Sequence, residues 1–156
     1  MSQHPFILLP GDWYGEGKIV LNMVEEFLPF STSWNVTGRD YAGKIQCMQG
    51  IQIHGLSENM TNDLSFYDFQ PNGFTVEMEN SNIGRVIGKG VYDDKVIAWE
   101  FRDNELNFEG FETYVLQSDG SYSMHGEYVS SDQFRTEIEG KIWPKPPESQ
   151  DMPYEE

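Results

Sequence analysis

From about Glu16 to Trp143 the chain is a succession of short runs that alternate apolar and polar residues at period two, with no helix-length segment between them. Gly43–His54, Gly73–Glu79, Lys95–Arg102, Leu106–Gln117, Tyr122–Ser130 and Gln133–Trp143 are rich in β-branched and aromatic residues, the pattern of half-buried strands. Turn chemistry separates them: Pro71-Asn72-Gly73, Asp93-Asp94, Asp103-Asn104, Ser118-Asp119-Gly120 and Ser130-Ser131-Asp132. About ten strands fit, near residues 16–23, 27–38, 43–54, 61–69, 73–80, 84–92, 95–102, 106–117, 121–130 and 133–143. So many sequential hairpins expose edges unless the sheet closes on itself. The expected fold is therefore all-β, a single antiparallel up-and-down barrel of about ten strands. A barrel of this size either fills its interior with side chains or holds one small ligand.

The 156 residues suit one domain with a real core. Residues 1–143 are read as the barrel, with residues 1–12 as an irregular, flexible lead-in. Residues 144–156 are read as a disordered Pro-rich tail that carries four acids and one lysine. Ten Lys and Arg against 26 Asp and Glu leave a net charge of −16. That balance excludes nucleic acid, which needs phosphate-neutralising cations, and disfavours an anionic membrane surface. It suits solubility or a basic protein partner. Phe6-Ile7-Leu8-Leu9, between two prolines and with no Lys or Arg before it, is too short for a signal-peptide core or a membrane span. A cytoplasmic location is the expectation. Cys47 is the sole cysteine and alternates in step with Ile45 and Ile51, so it reads as a small buried hydrophobe.

The turns also predict register. With Gly120 left-handed in a three-residue loop, Leu116, Tyr114, Glu112 and Gly110 lie opposite Tyr122, Met124, Gly126 and Tyr128. A three-residue loop at Ser130–Asp132 sets Tyr128 against Phe134 and Met124 against Ile138, with His125 across from Glu137 and Glu127 opposite Arg135. A two-residue crossing at Asp103-Asn104 sets Trp99 against Phe108. One face then carries Ile97, Trp99, Phe101, Phe108, Glu112, Tyr114, Tyr122, Met124, Tyr128, Ile138 and Ile142. The other carries Glu100, Arg102, Glu109, His125, Glu127, Arg135, Glu137, Glu139 and Lys141. The first is the interior, and Glu112 is its one ionisable carboxyl. Gly110 opposite Tyr128 reads as a glycine covered by an aromatic ring.

Gly11-Asp12-Trp13-Tyr14-Gly15-Glu16-Gly17 carries a Gly-x-Trp opening followed by Gly-Glu-Gly. This resembles the start of the first strand in calycin barrels, the lipocalin and fatty-acid-binding-protein group, and most closely that of nitrobindin-type haem barrels. The resemblance implies that Trp13 packs across the closed end of the barrel against a cation from near the last strand, Arg135 or Lys141. Nitrobindin-type barrels place a haem-ligating His in the last strand, but Phe134-Arg135-Thr136-Glu137-Ile138 has none, so no haem or other cofactor is expected. The Asn22–Phe27 stretch is too short for the helical lid of fatty-acid-binding proteins, and their Arg-x-Tyr carboxylate clamp is missing.

Candidate chemistry concentrates on Glu112. Desolvated by Trp99, Phe108, Tyr114 and Tyr128, its carboxyl is placed to bind a polar ligand group or to carry a proton; the alternative is a mouth position or satisfaction by a tyrosine hydroxyl. No second inward carboxylate is visible for glycosidase-like work. Three dispersed histidines and one cysteine show no metal-ligand spacing, and His125 reads as a surface ion-pair partner. Phe111, Val115 and Trp143 are apolar yet fall on the outer face; if they cluster, they mark a patch for a partner, a second subunit or the chain's own terminal segment. Three readings stay open. One is a binding protein for a small hydrophobic or aromatic ligand, with Trp34, Trp99, Phe108, Tyr114 and Tyr128 lining the lumen and Glu112 selecting a polar group. The second is a filled barrel that acts through its acidic surface, and the third is an isomerase that uses Glu112.

Overall fold

The computed structural model describes residues 4–22, 26–57, 59–102, 104–129 and 135–145. Ten strands follow one another: β1 (Gly11–Leu21), β2 (Phe27–Val36), β3 (Ile45–Ile53), β4 (Asn59–Gln70), β5 (Gly73–Asn80), β6 (Gly84–Tyr92), β7 (Val96–Phe101), β8 (Glu109–Leu116), β9 (Tyr122–Val129) and β10 (Arg135–Pro144). Each pairs antiparallel with its sequence neighbours, and β1 pairs with β10 to close the barrel. Burial alternates along the strands as the pleat requires. In β6, Val86, Gly88 and Gly90 are buried while Ile87, Lys89 and Val91 face out. Among the described residues no helix is long and apolar enough to cross a membrane.

The β8–β9 register is as the turn predicts: Leu116, Tyr114, Glu112 and Gly110 pair with Tyr122, Met124, Gly126 and Tyr128, and Gly120 is left-handed at φ +89°. The other two predicted registers differ. Trp99 pairs with Glu112, not Phe108, because β7 and β8 are joined through residues 102–108 and not by a two-residue turn. Asn104 organises that loop: its Oδ1 accepts from the Leu106 and Phe108 amides, and its Nδ2 donates to the Phe108 carbonyl. An Asn side chain substitutes in this way for ladder hydrogen bonds. On β10, Tyr128 pairs with Thr136 and Met124 with Gly140, a slip of two residues from expectation. The expected partner Phe134 and the Ser130–Asp132 loop lie outside the described residues. Slips by an even number leave every side chain on its predicted face, so the inside–outside sorting survives both corrections.

The first strand begins at Gly11, not near residue 16, which takes Trp13 into the sheet between Trp34 and Pro144. The described part of the lead-in before it, residues 4–10, is folded rather than flexible. Phe6 and Ile7 are fully buried, and Leu9 N donates to the Pro5 carbonyl across a tight turn. The Phe6 ring lies 4.9–5.5 Å from those of Trp13, Trp34, Tyr114 and Tyr122. His4, 2% exposed, donates from Nε2 to the Asp93 carbonyl (2.6 Å) and shares a 2.7 Å hydrogen bond between Nδ1 and the Tyr122 hydroxyl. Residues 4–9 thus stopper one end of the barrel. The expected tail boundary also moves: Pro144 belongs to β10, Lys145 N donates to the Asp12 carbonyl, and residues 146–156, where disorder is expected, lie outside the described residues.

Candidate functional site

The stopper divides the interior. Beneath it Trp34, Trp99, Tyr114, Phe66 and Tyr122 fill the cross-section with interlocking rings, Trp34 edge-on to both Trp99 (6.3 Å) and Tyr114 (6.1 Å). Among the described residues, neither the Trp34 nor the Trp99 indole N–H has a hydrogen-bond acceptor, in keeping with an aromatic packing zone. Towards the opposite end, where the β1–β2, β3–β4, β5–β6 and β7–β8 connections lie, the filling stops. A cavity of about 390 Å³ opens there, walled by Ile19, Leu28, Phe30, Ile51, Met78, Met124 and Ile138 among others. That volume is within the roughly 300–1,000 Å³ of small-molecule sites. A depression on the outer surface over Gly17 and Gly140 has more volume, about 520 Å³, but is nearly flat and open, so it cannot desolvate a ligand.

Of the six residues expected to line the lumen, Glu112, Phe108 and Tyr128 border the cavity, whereas Trp34, Trp99 and Tyr114 belong to the packed zone. Glu112 sits at the boundary. Its strand neighbours across the sheet are Trp99 and Gly126, and the missing side chain of Gly126 leaves room for it: a Cβ there would stand 3.2 Å from Glu112 Cγ. One carboxylate oxygen accepts from the Tyr114 hydroxyl at 2.5 Å and the other from the Tyr128 hydroxyl. Phe108 stacks on Tyr128 with centroids 5.2 Å apart, which holds the second hydroxyl in place. Burial raises the Glu112 carboxyl above the usual carboxylate range, against the smaller lowering by the two hydroxyls. Burial, reinforced by the adjacent carboxyl, pushes Tyr114 and Tyr128 well above 10, so both remain neutral donors.

A second polar wall escaped the sequence reading. Thr32, Gln49, Asn62 and Asn80 stand side by side on β2, β3, β4 and β5. Asn80 Nδ2 donates to Asn62 Oδ1 (2.8 Å), Asn62 Nδ2 to Gln49 Oε1 (3.0 Å), and Gln49 Nε2 to Thr32 Oγ1 (3.2 Å). Gln49, Asn62 and Asn80 line the cavity. The signal was present: Gln49 follows Ile45 and Cys47 at period two, and Asn62 precedes Leu64 and Phe66 likewise. Amides read as surface residues only while the register that turns them inward is unknown.

Arg135 and Trp13, paired by resemblance as the barrel closure, are at opposite ends of β10. Trp13 is level with Pro144, while Arg135 is one residue beyond the Leu21–Thr136 pair. Lys141, the alternative, faces outward and lies 3.6 Å from Asp119. Trp13 is covered instead by Phe6 and Tyr122. On the outer face, His125 pairs with Glu139 rather than Glu137, and its Nε2 lies 3.2 Å from Glu127. Ligating atoms of His125, Glu127 and Glu137 fall within 4.8 Å of one another, a grouping across two strands that linear spacing could not reveal. Arg135 already supplies a cation to Glu127 at 3.4 Å. The three outer apolar residues have different neighbours: Phe111 contacts His125, Trp143 contacts Tyr14, and Val115 lies beside Val96. Cys47 is buried and its thiol pushed up to about 12, a packing residue with no nucleophilic character. No protein-family model matches the chain, and comparison with curated proteins finds no match either.

Proposed function

We propose that this protein is a non-enzymatic intracellular binding protein that holds one small hydrophobic or aromatic molecule in the hollow half of its barrel. The observation that carries this reading is the cavity of about 390 Å³, apolar over most of its wall, with a tyrosine-bound carboxyl and an amide row facing into it. An apolar ligand that loses about 300 Å² of surface there gains on the order of 7 kcal/mol. Immobilisation offsets several kcal/mol of that, so the few polar contacts decide whether binding is useful. Catalysis is less well supported. Among the described residues, no other carboxylate and no Lys or His lines the cavity to pass a proton across a substrate from Glu112. The Gly-x-Trp start of β1 and the ten-strand closure support placing the chain with the calycin barrels.

Native mass spectrometry of freshly purified protein, beside its denatured mass, tests the proposal. A discrete excess mass, lost on denaturation and absent from an Ile138→Trp variant that fills the cavity, is the expected result. The bare chain mass in both proteins would favour the filled-barrel alternative.

A further inference from the structure

We propose that the ligand of this cavity is an organic amine, its ammonium group held by the Glu112 carboxylate beside the Tyr128 and Phe108 rings and its hydrocarbon part in the apolar wall. This rests on the lumen-binding reading above and narrows it to one charge class.

The cavity holds one carboxyl and, among the described lining residues, no Lys, Arg or His. An anionic ligand would be buried against a carboxyl with no counter-ion, which desolvation and like-charge repulsion both disfavour. The opposite wall cannot correct this, because Gln49, Asn62 and Asn80 are neutral and already bonded to one another. A neutral ligand meets no such cost but supplies no counter-charge to an ionised Glu112. An ammonium supplies that partner. A carboxylate accepts about four hydrogen bonds; Tyr114 and Tyr128 use one on each oxygen, which orients the group and leaves capacity for ligand N–H donors. The Phe108–Tyr128 stack beside it presents aromatic surface of the kind that attracts cations. A net charge of −16 raises the local concentration of cations around the whole molecule.

The charge is switchable. Burial raises the carboxyl above its ordinary value, so in acid Glu112 is protonated and must release that proton as the ammonium arrives. The titratable groups facing it are Tyr114 on β8 and Tyr128 on β9, with Cys47 on β3 acting on Tyr114. Burial raises all three, and all remain uncharged at neutral pH.

Isothermal titration calorimetry with decylamine, decanol and decanoic acid, which share one chain length, separates the outcomes. Decylamine is expected to bind at a single salt-resistant site at least tenfold more tightly than decanol, with decanoic acid weakest. Below the Glu112 pKa its affinity should fall about tenfold per pH unit. Glu112→Gln should weaken decylamine about thirtyfold or more and remove its preference over decanol. If decanol or decanoic acid binds as tightly as the amine, or if amine uptake is multisite and abolished by salt, the cavity binds ligands but the ammonium assignment is wrong. Should none of the three bind, the lumen-binding reading falls with it. If Glu112→Gln does not fold, the amine–alcohol ratio and its pH dependence in the native chain still decide.

Discussion

Glu112 is the residue on which the chemistry of this barrel converges, and its burial has a measurable consequence for stability. The folded state holds its proton more tightly than the unfolded chain, whose carboxyl ionises near 4.5. Folding therefore carries a proton-linked stability that is intact below that value and is lost as pH rises through the raised folded value. Glu112→Gln keeps the shape and a hydrogen-bonding end without the ionisation. Urea unfolding of the two proteins should show the variant gaining stability relative to the native chain as pH rises from about 4.5, then holding a constant advantage. A difference that is flat with pH would mean that the carboxyl is not desolvated. That Glu112 faces inward was legible from the Ser118-Asp119-Gly120 turn alone, because one correct hairpin register fixes the face of every residue on both strands. That it meets two tyrosine hydroxyls at once was not legible, since Tyr128 reaches it from two residues along the neighbouring strand, a diagonal set by side-chain geometry.

At the scale of elements, the decisive one is not a strand. Residues 4–9 close one end of the barrel, and Phe6 is their anchor, in contact with four aromatic rings. Ile7 adopts φ +59°, costly for a β-branched residue, and complete burial of its side chain offsets the strain. Phe6→Ala should cost about 3–5 kcal/mol in urea unfolding and reduce the near-ultraviolet dichroism of the surrounding Trp and Tyr rings. A loss below about 1 kcal/mol would show that the stopper is dispensable to the core. The segment has no period, contains Pro5 and is followed by Pro10, so local pattern gives it no place. The run Phe6-Ile7-Leu8-Leu9 was the only hint that a short apolar stretch, unable to cross a membrane, had to be buried somewhere. The strands themselves were legible because period-two alternation is a local property. The β7–β8 loop was missed because Asn104 supports a longer connection than its dipeptide suggests.

For the whole molecule, charge and closure dominate. The described ion pairs are few and exposed on at least one side, such as Arg85 with Glu77 and Arg102 with Glu100. Each is worth under about 1 kcal/mol. Against them stands a net charge of −16 on a chain of 156 residues. Screening should relieve more repulsion than it removes attraction, so the melting temperature is expected to rise as sodium chloride is added. A fall would show that the surface pairs outweigh the net repulsion. The sequence by itself determined the class, the approximate strand boundaries and which face of each strand is apolar, because alternation and turn residues act over a few positions. Only the tertiary structure decided that one half of the interior is packed and the other hollow. That division depends on joining β1 to β10, whose partners Leu21 and Thr136 are remote in sequence, and on the N-terminal stopper reaching Tyr122 and Asp93. Such contacts are chosen by how volumes fit when the sheet closes, and no local pattern records them.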